Sequence, residues 1–164
     1  MLRGVSGVNR IGVIFALRRL LMLNYLGKTV SVVMDRPLGS RHPEYELIYP
    51  VNYGYIENTV SEDGEEIDAY ILGEFEPLDK FTGVVIAVIT RSDDVESKLV
   101  VSSKQNRYSK EQIESLVEFQ ERFFNSEIIT FDFLRPSIRN TVKALIMEMC
   151  CYIKNCAIIK KLDR

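Results

Sequence analysis

Short runs of apolar and β-branched residues, separated by turn signals, fill the first two thirds of the chain. Strand-like patterns occupy five stretches, at residues 28–34, 49–60, 67–72, 83–90 and 98–101. The Asp-Gly turn signal at 61–64 favours a hairpin between the second and third stretches, and Ser92, Asp93 and Asp94 mark a later turn. Five short strands with short turns are typical of a small barrel or closed sheet.

Helical spacing appears only after residue 108. Ser109 and Gln112 predict a capping box at the start of a helix. An almost wholly apolar stripe follows, which predicts that this helix packs on the sheet. Its members are Ile113, Leu116, Val117, Gln120, Phe123 and Phe124. A second stripe, from Ile138 to Cys156, predicts another amphipathic helix that could dock or form a homo-oligomer. Strands followed by helices predict an α+β fold.

The two ends of the chain differ from this central block. Residues 1–27 are basic and amphipathic and contain no acidic residue. They indicate either a targeting peptide or surface helix, or a stretch upstream of a true start at Met22, which we favour. We therefore divide the chain into an N-terminal extension at 1–27, a central domain at 28–126 and a C-terminal helical extension at 127–164.

Composition narrows the classes of protein that this chain can be. It has 164 residues, 46% of them hydrophobic and 27% charged, which fits one domain with a buried core plus additions. The net charge of -2 gives no overall positive field for nucleic acid, and no apolar run reaches the roughly 18 residues of a membrane span. Cys150, Cys151 and Cys156 are an odd and clustered set, so we expect reduced thiols and a cytoplasmic location.

Two acidic groups carry the candidate chemistry. Their side chains are Asp63, Glu65, Glu66 and Asp68 in the first, and Asp93, Asp94 and Glu96 in the second. If the two hairpins are neighbours, both groups meet at one end of the sheet. Their repulsion then calls for hard divalent cations, of which Mg²⁺ is the usual one, and such ions activate water and neutralise phosphate. The alternative is that these acids are simply solvated turn residues.

Cationic and aromatic residues flank the acidic groups. The side chains that can bind phosphate are Arg36, Arg41, Lys98 and Lys104. The alternative is that each of them balances a nearby surface carboxylate. Tyr49, Tyr53 and Tyr55 alternate and share one face, which favours core packing over contact of their hydroxyls with phosphate.

The string Tyr-Pro-Val-Asn-Tyr-Gly-Tyr-Ile at 49–56, with Thr59 and Asp-Gly-Glu-Glu-Ile-Asp at 63–68, resembles family I soluble inorganic pyrophosphatases. The resemblance extends over roughly residues 29–125. It implies that the central domain is a pyrophosphatase-like domain, with a small five-stranded OB-like β-barrel flanked by helices. It also implies Mg²⁺-dependent hydrolysis of pyrophosphate, or of a related small phosphoanhydride, by metal-activated water.

The same resemblance implies roles for individual residues. The implied metal ligands are Asp63, Asp68, Asp93, Asp94 and Glu96. The implied catalytic residues are Tyr53, Glu65 and Lys98, with Glu65 near the attacking water. The candidates for substrate binding are Lys98, Tyr49, Arg36 and Arg41. Either arginine is a hypothesised substitute for a family arginine whose hairpin is missing here.

Several positions depart from the family pattern. Glu65 and Glu96 stand where the family has aspartate, and the extra methylene moves a carboxylate by about 1 Å or more. Glu44 falls where the family has a phosphate-binding lysine, and Phe123 and Phe124 lie near an expected Tyr-Lys pair. These differences leave two alternatives open: hydrolysis of another phosphoanhydride, or a non-catalytic module that binds metal or phosphate.

Overall fold

A computed structural model describes residues 21–61, 64–94, 96–103 and 107–130. The predictions made for residues 1–20, Asp63, Lys104, the three cysteines and the helix at 138–156 lie outside these described residues. The chain divides into two compact units, one made of residues 25–133 and the other of residues 1–24 and 134–164. The second unit is described only at residues 21–24.

Six strands and one helix make up the described part of residues 25–133. The strands are β1 (Thr29–Arg36), β2 (Asn52–Ile56), β3 (Ile67–Leu72), β4 (Lys80–Arg91), β5 (Ser97–Ser102) and β6 (Ser126–Thr130), and the helix is α1 (Lys110–Glu121). Each of the five predicted strand stretches overlaps one of the strands β1 to β5. No helix within the described ranges is long and apolar enough to cross a membrane.

Strands β1 to β5 close into a barrel. Around the ring the order is β1-β2-β3-β5-β4, and β1 pairs with both β2 and β4. Neighbouring strands are antiparallel except β3 and β5, which run parallel. The predicted α+β fold with a small five-stranded, OB-like barrel is therefore confirmed.

Strand β4 is long enough to pair with two strands along one edge. Its residues 80–84 pair with β1, and its residues 87–91 pair with β6, a strand that the sequence pattern does not predict. Ile128 and Ile129 of β6 are buried, but five residues are too few to show a clear period. Residues 127–130 therefore belong to a strand of this sheet.

Both faces of strands β3 and β5 are covered, which explains why these strands are apolar almost throughout. Alternate residues of β3 and β5 point into the barrel, and Ala69, Ile71 and Val101 among them have no exposed surface. The outward residues of these strands pack against α1, whose Ile113 and Val117 are also fully buried. The prediction that the helix packs on the sheet is confirmed.

Helix α1 begins where its capping signal predicts. The Ser109 hydroxyl accepts from the Gln112 N–H at 3.3 Å, and the Ser109 N–H donates to the Gln112 side chain at 2.8 Å. The apolar stripe is narrower than predicted, because Leu116 and Phe123 are exposed and because Phe123 lies beyond the last helical residue, Glu121. This end of the helix leaves the Glu121 carboxylate buried rather than in solvent.

Gly54 allows β1 to approach β2 closely. A Cβ added at this position would lie 1.9 Å from the carbonyl oxygen of Val33, so a larger residue does not fit. Gly64 meets a different need in the turn between β2 and β3. Its φ of +99° lies in the left-handed region, where open space surrounds it.

Candidate active site

Tyr53, Asp68 and Lys98 come from three adjacent strands, β2, β3 and β5. The strand registers and the alternation of side chains put all three on the outer face of the barrel wall. Lys98 Nζ donates to Tyr53 Oη at 2.5 Å and to Asp68 Oδ2 at 2.8 Å. Tyr53 Oη donates to the same oxygen of Asp68. Pairing of the strands thus turns distant sequence positions into one hydrogen-bonded group.

Glu96 precedes β5 and joins this group. Lys98 Nζ donates to Glu96 Oε1 at 2.6 Å, and the Glu96 and Asp68 carboxyl groups are hydrogen-bonded to each other. The Lys98 side chain is 2% exposed, and its three N–H bonds match its three partners, Tyr53, Asp68 and Glu96. One member of each acidic segment therefore meets the other around a single buried ammonium group.

Burial and neighbouring charges set the protonation of this group. Burial raises the pKa of Glu96 to about 7, supported by its hydrogen bond to Asp68 and opposed by the charge of Lys98. Burial also disfavours ionised Asp68, but the charge of Lys98 and hydrogen bonds from Glu96, Lys98 and Tyr53 outweigh it, so the pKa of Asp68 is lowered. The pKa of Tyr53 lies well above its usual range, first through burial and then through the charge of Asp68. Near neutral pH, Asp68 is ionised and Tyr53 keeps its proton.

Arg91, at the end of β4, forms the second half of the site. Its side chain is 2% exposed, and its Nε and Nη2 donate to the two oxygens of Glu121 at 3.1 and 2.7 Å. Its Nη1 donates to Asp94 Oδ2 at 2.8 Å and to Glu96 Oε2 at 3.1 Å. The guanidinium carbon lies 3.5 Å from the centroid of the Phe124 ring. Glu96 is therefore held between two buried cations.

Glu121 connects the end of α1 to the sheet. Its carboxylate accepts from Tyr70 Oη at 2.7 Å and from Ser126 Oγ at 2.5 Å, besides the two bonds from Arg91. Burial acts to raise the pKa of Glu121, but these hydrogen bonds, with that from Arg91 the strongest, lower it. Neither Arg91 nor Glu121 is among the site residues predicted from sequence. The available signal was that Arg91 ends an apolar strand and that Glu121 lies four residues after Val117, on the apolar side of the helix.

Tyr49 and Arg36 lie at the edge of this group. The Tyr49 ring is buried, with its centroid 5.4 Å from that of Tyr53. Burial raises the pKa of Tyr49, and the charge of Arg36 acts in the opposite direction. Arg36 itself donates to Asp35 Oδ1 at 2.6 Å. These contacts agree with a packing role for Tyr49.

Three predicted site residues that the structure describes, Arg41, Glu65 and Asp93, lie outside this group. The Asp93 carboxylate accepts from the Asn125 N–H through both oxygens, at 2.9 Å each, and so anchors the start of β6. Arg41 is exposed in the loop before β2, and Glu65 is exposed in the turn before β3. Asp63 lies outside the described residues.

Asn52 and Thr59, two residues of the motif at 49–68, hold the connections around the site. Asn52 is fully buried, and its Oδ1 accepts from the N–H groups of Leu38 and Leu78 at 3.0 and 3.1 Å. Thr59 Oγ1 accepts from the Ile67 N–H at 3.0 Å, which closes the connection from β2 to β3. Both residues therefore support the backbone that carries the site.

The donor set fits a hard divalent cation in part. Asp68 and Glu96 offer adjoining carboxylate oxygens, which are the ligands that Mg²⁺ prefers. Within the described ranges, no group of three or more His, Cys, Asp or Glu side chains is arranged to hold a metal ion. A metal site that used Asp68 and Glu96 would therefore need further ligands.

A cleft of about 490 Å³ opens beside the site. It is lined by His42, Tyr45, Glu46, Leu47, Gln120, Arg122, Phe123 and Phe124. Tyr45 and Phe123 are largely exposed, so aromatic faces are available in it. The cleft borders the site because Phe124 also covers the guanidinium group of Arg91.

Comparisons with known proteins point in one direction. The sequence model of the inorganic pyrophosphatase family matches residues 28–133. The inorganic pyrophosphatase of Campylobacter jejuni, a curated relative, is 36% identical over 45 residues, which is 27% of this chain and 23% of that protein. The aligned stretch therefore spans less than a quarter of that relative.

Solved structures share the fold. An inorganic pyrophosphatase from Ehrlichia chaffeensis superposes with a TM-score of 0.53 at 14% identity, over 75% of this chain and 94% of that one. One from Helicobacter pylori gives a TM-score of 0.53 at 14% identity, over 76% and 95% of the two chains. One from Neisseria gonorrhoeae gives 0.50 at 19% identity, over 72% and 91%. At these identities the likeness establishes the fold alone.

Proposed function

Because the chain belongs to the inorganic pyrophosphatase family, whose sequence model covers residues 28–133, we propose that it hydrolyses inorganic pyrophosphate to two phosphates. The family implies a divalent metal cofactor, and we propose Mg²⁺, since carboxylate oxygens are the ligands that this ion prefers. One observation carries the proposal: Tyr53, Asp68, Glu96 and Lys98 form a single hydrogen-bonded group on the outer face of the barrel.

Asp68 and Glu96 are the proposed metal ligands among the described residues, with Asp63 as a third. When bound, divalent ions supply Lewis acidity and positive charge for the phosphoanhydride. The roles of Asp93 and Asp94 as ligands stay predictions. The carboxylate of Asp93 is bonded to a backbone N–H, and that of Asp94 is bonded to a guanidinium group.

Lys98 and Tyr53 orient the charged groups of the site. Since the N–H bonds of Lys98 match three partners within the chain, a phosphate oxygen that reaches Nζ takes the place of one of them. Tyr53 keeps its proton at neutral pH and donates a hydrogen bond to Asp68. Substrate binding at Lys98 is therefore linked to the state of the two carboxylates. The predicted roles of Glu65, Tyr49, Arg36 and Arg41 remain proposals.

Phosphate release from pyrophosphate tests this function. The purified protein is assayed with and without Mg²⁺ from about pH 7 to 9. We expect Mg²⁺-dependent release, and we expect Asp68→Asn to lower kcat/KM by about a hundredfold, because it removes a charge that faces both Lys98 and the proposed metal position. Lys80→Gln is the matched control and is expected to leave the rate unchanged. Lys80 forms an exposed ion pair, and it lies at the end of β4 opposite to Arg91.

Wild-type protein that releases no phosphate in a metal-dependent manner over this range contradicts the proposed hydrolysis. Calorimetry then decides between the remaining alternatives. Mg²⁺-dependent binding of pyrophosphate without turnover supports a non-catalytic binding module.

A second substrate class is favoured by the cleft beside the site. Its volume of about 490 Å³ suits a small organic group, and Tyr45 and Phe123 offer aromatic faces for a nucleobase. A nucleoside di- or triphosphate could place its base there and its phosphates at the carboxylates. If so, Phe123→Ser lowers kcat/KM for the nucleotide and spares pyrophosphate. Equal effects on both substrates, or no nucleotide hydrolysis by wild type, argue against this class.

The cytoplasmic location, the absence of a nucleic-acid partner and the homo-oligomer stay predictions from the sequence. The net charge of -2 supports the absence of a nucleic-acid partner.

A further inference from the structure

Resting on the proposed function, we propose that Arg91 is a positioning residue whose fixed positive charge fills the place between Asp94 and Glu96 that a divalent cation would otherwise take. The guanidinium group then confines metal binding to the side of Glu96 that faces Asp68, and Asp94, for which the resemblance implies a ligand role, pairs with Arg91 instead of ligating a metal ion. Removal of this charge, with the fold preserved, is expected to increase the uptake of divalent cations.

Arg91 Nη1 marks the point on which two carboxylates converge. It lies 2.8 Å from Asp94 Oδ2 and 3.1 Å from Glu96 Oε2. Oxygens that share one donor at these distances need only a small shift to share one metal ion, because Mg²⁺ binds oxygen at about 2.1 Å. The position of Nη1 is therefore suited to a cation, and a side chain of the protein occupies it.

Three contacts fix Arg91 in this place. Its Nε and Nη2 bond to both oxygens of Glu121, and the Phe124 ring covers one face of the guanidinium group. Glu121 is held in turn by Tyr70 and Ser126. At 2% exposure the Arg91 side chain has no solvent into which to rotate, so its charge stays at the site.

The charged groups around Arg91 allow a double substitution that leaves the net charge of the protein unchanged. The two cations, Arg91 and Lys98, face four carboxylates, which belong to Asp68, Asp94, Glu96 and Glu121. The double variant Arg91→Gln with Glu121→Gln removes one charge of each sign. Asp94 and Glu96 then lose a cation, while no buried carboxylate is left unpaired at position 121.

Titration with Mn²⁺ alone, followed by the electron paramagnetic resonance signal of the free ion, measures the effect. We expect the double variant to bind one more Mn²⁺ per chain than wild type, or the same number about tenfold more tightly. Glu121→Gln alone keeps Arg91 and is expected to show no gain. Arg91→Lys combined with Glu121→Gln restores a cation and is expected to return Mn²⁺ binding to the wild-type value.

Unchanged binding in the double variant overturns the inference. Binding is unchanged when the number of bound ions equals that of wild type and Kd agrees within about twofold. Circular dichroism must also show that the double variant is folded. A gain that persists when lysine stands at position 91 also overturns it, because the charge would then not be the cause.

A milder variant tests the inference if the double variant does not fold. Asp94 is partly exposed, and its carboxylate pairs with Arg91 at 2.8 Å, which on this inference takes the place of a metal ion. Asp94→Asn should therefore leave the number of bound Mn²⁺ ions and the Kd within about twofold of wild type. A larger loss of affinity shows that Asp94 ligates the metal and overturns the inference.

These titrations contain no pyrophosphate and so do not depend on turnover. If wild type fails to hydrolyse pyrophosphate while the double variant gains Mn²⁺, the proposed function fails and the role of Arg91 stands. If wild type hydrolyses pyrophosphate and the double variant gains no metal, the proposed function stands and the role of Arg91 fails.

Discussion

Lys98 illustrates how one residue can make an otherwise repulsive arrangement stable. Asp68 and Glu96 are hydrogen-bonded carboxyl groups, and both are partly withdrawn from water. The Lys98 ammonium lies 2.8 and 2.6 Å from their oxygens and is itself 2% exposed. In such surroundings an unpaired charge is strongly destabilising, so each of these groups depends on the others.

Lys98→Met keeps most of the side-chain length and removes the charge. We expect the free energy of unfolding to fall by about 3 kcal/mol, because the two carboxyl groups lose the cation between them. We also expect Mg²⁺-dependent phosphate release to fall by about a hundredfold. Urea unfolding and the phosphate assay measure the two effects.

Lys80→Met is the control for this substitution. The Lys80–Glu57 pair has a separation of 3.2 Å but is more than half exposed, so its loss should change the free energy of unfolding by less than about 1 kcal/mol. Equal effects of the two substitutions would mean that the Lys98 group adds no more stability than a surface pair.

At the scale of elements, the site depends on how closely the strands approach one another. Strand β2 carries Tyr53 and lies beside β1, and their contact is possible because Gly54 has no side chain to strike Val33. The neighbouring pairing of β2 with β3 then brings Tyr53 to Asp68. A change at Gly54 therefore acts on the site through the backbone.

Gly54→Ala and Gly64→Ala separate this close approach from backbone strain. A Cβ at Gly54 meets a backbone oxygen at 1.9 Å, so we expect the free energy of unfolding to fall by about 3 kcal/mol or more. A Cβ at Gly64 meets nothing within 4 Å and adds only the strain of a positive φ, about 1 to 2 kcal/mol. Thermal or urea unfolding of both variants checks the order, and a larger effect at Gly64 would contradict it.

At the scale of the whole molecule, closure of the barrel decides which charged residues meet. The ring order places β5 between β3 and β4. Lys98 on β5 therefore reaches Asp68 on β3, and Arg91 at the end of β4 reaches Glu96 before β5. Helix α1 adds Glu121 from outside the ring. The stability of the whole domain is thereby tied to the ionisation of these groups.

The free energy of unfolding of the metal-free protein is expected to fall as pH rises from about 4.5 to about 7. Over this range Glu96, with a pKa of about 7 in the folded protein and an ordinary value of 4.5, binds more protons when folded than when unfolded. Stability must then decrease with pH, by up to about 1.4 kcal/mol per pH unit. Asp68 and Glu121, whose pKa values are lowered, act in the opposite sense, and their contribution is lost as pH falls below their ordinary values.

Urea unfolding with EDTA at a series of pH values measures this slope. Glu96→Gln removes the titrating group and should flatten the profile between about pH 4.5 and 7. A slope that is the same in Glu96→Gln and in wild type would assign the effect to another residue.

The sequence by itself determined the local elements and the chemistry of one group. Short runs of apolar and β-branched residues indicated the five barrel strands, and Ser109 with Gln112 set the start of α1. The family resemblance of the motif at 49–68 and of the acidic segment before β5 pointed to Tyr53, Asp68, Glu96 and Lys98, all of which the fold brings together. The strands and the start of the helix were accessible because periodicity and turn signals are local properties of the chain.

Only the tertiary structure decided which charged residues that are distant in sequence meet. Arg91 and Glu121 are 30 positions apart, and neither has a pattern around it that indicates the other. Asp93 and Asp94 are adjacent in sequence, yet one bonds to the backbone just before β6 and the other to Arg91. The pairing of β6 with the end of β4 and the end of α1 at Glu121 fix these contacts. Charge partners depend on long-range packing, because a carboxylate carries no local signal of which cation the closed barrel will place beside it.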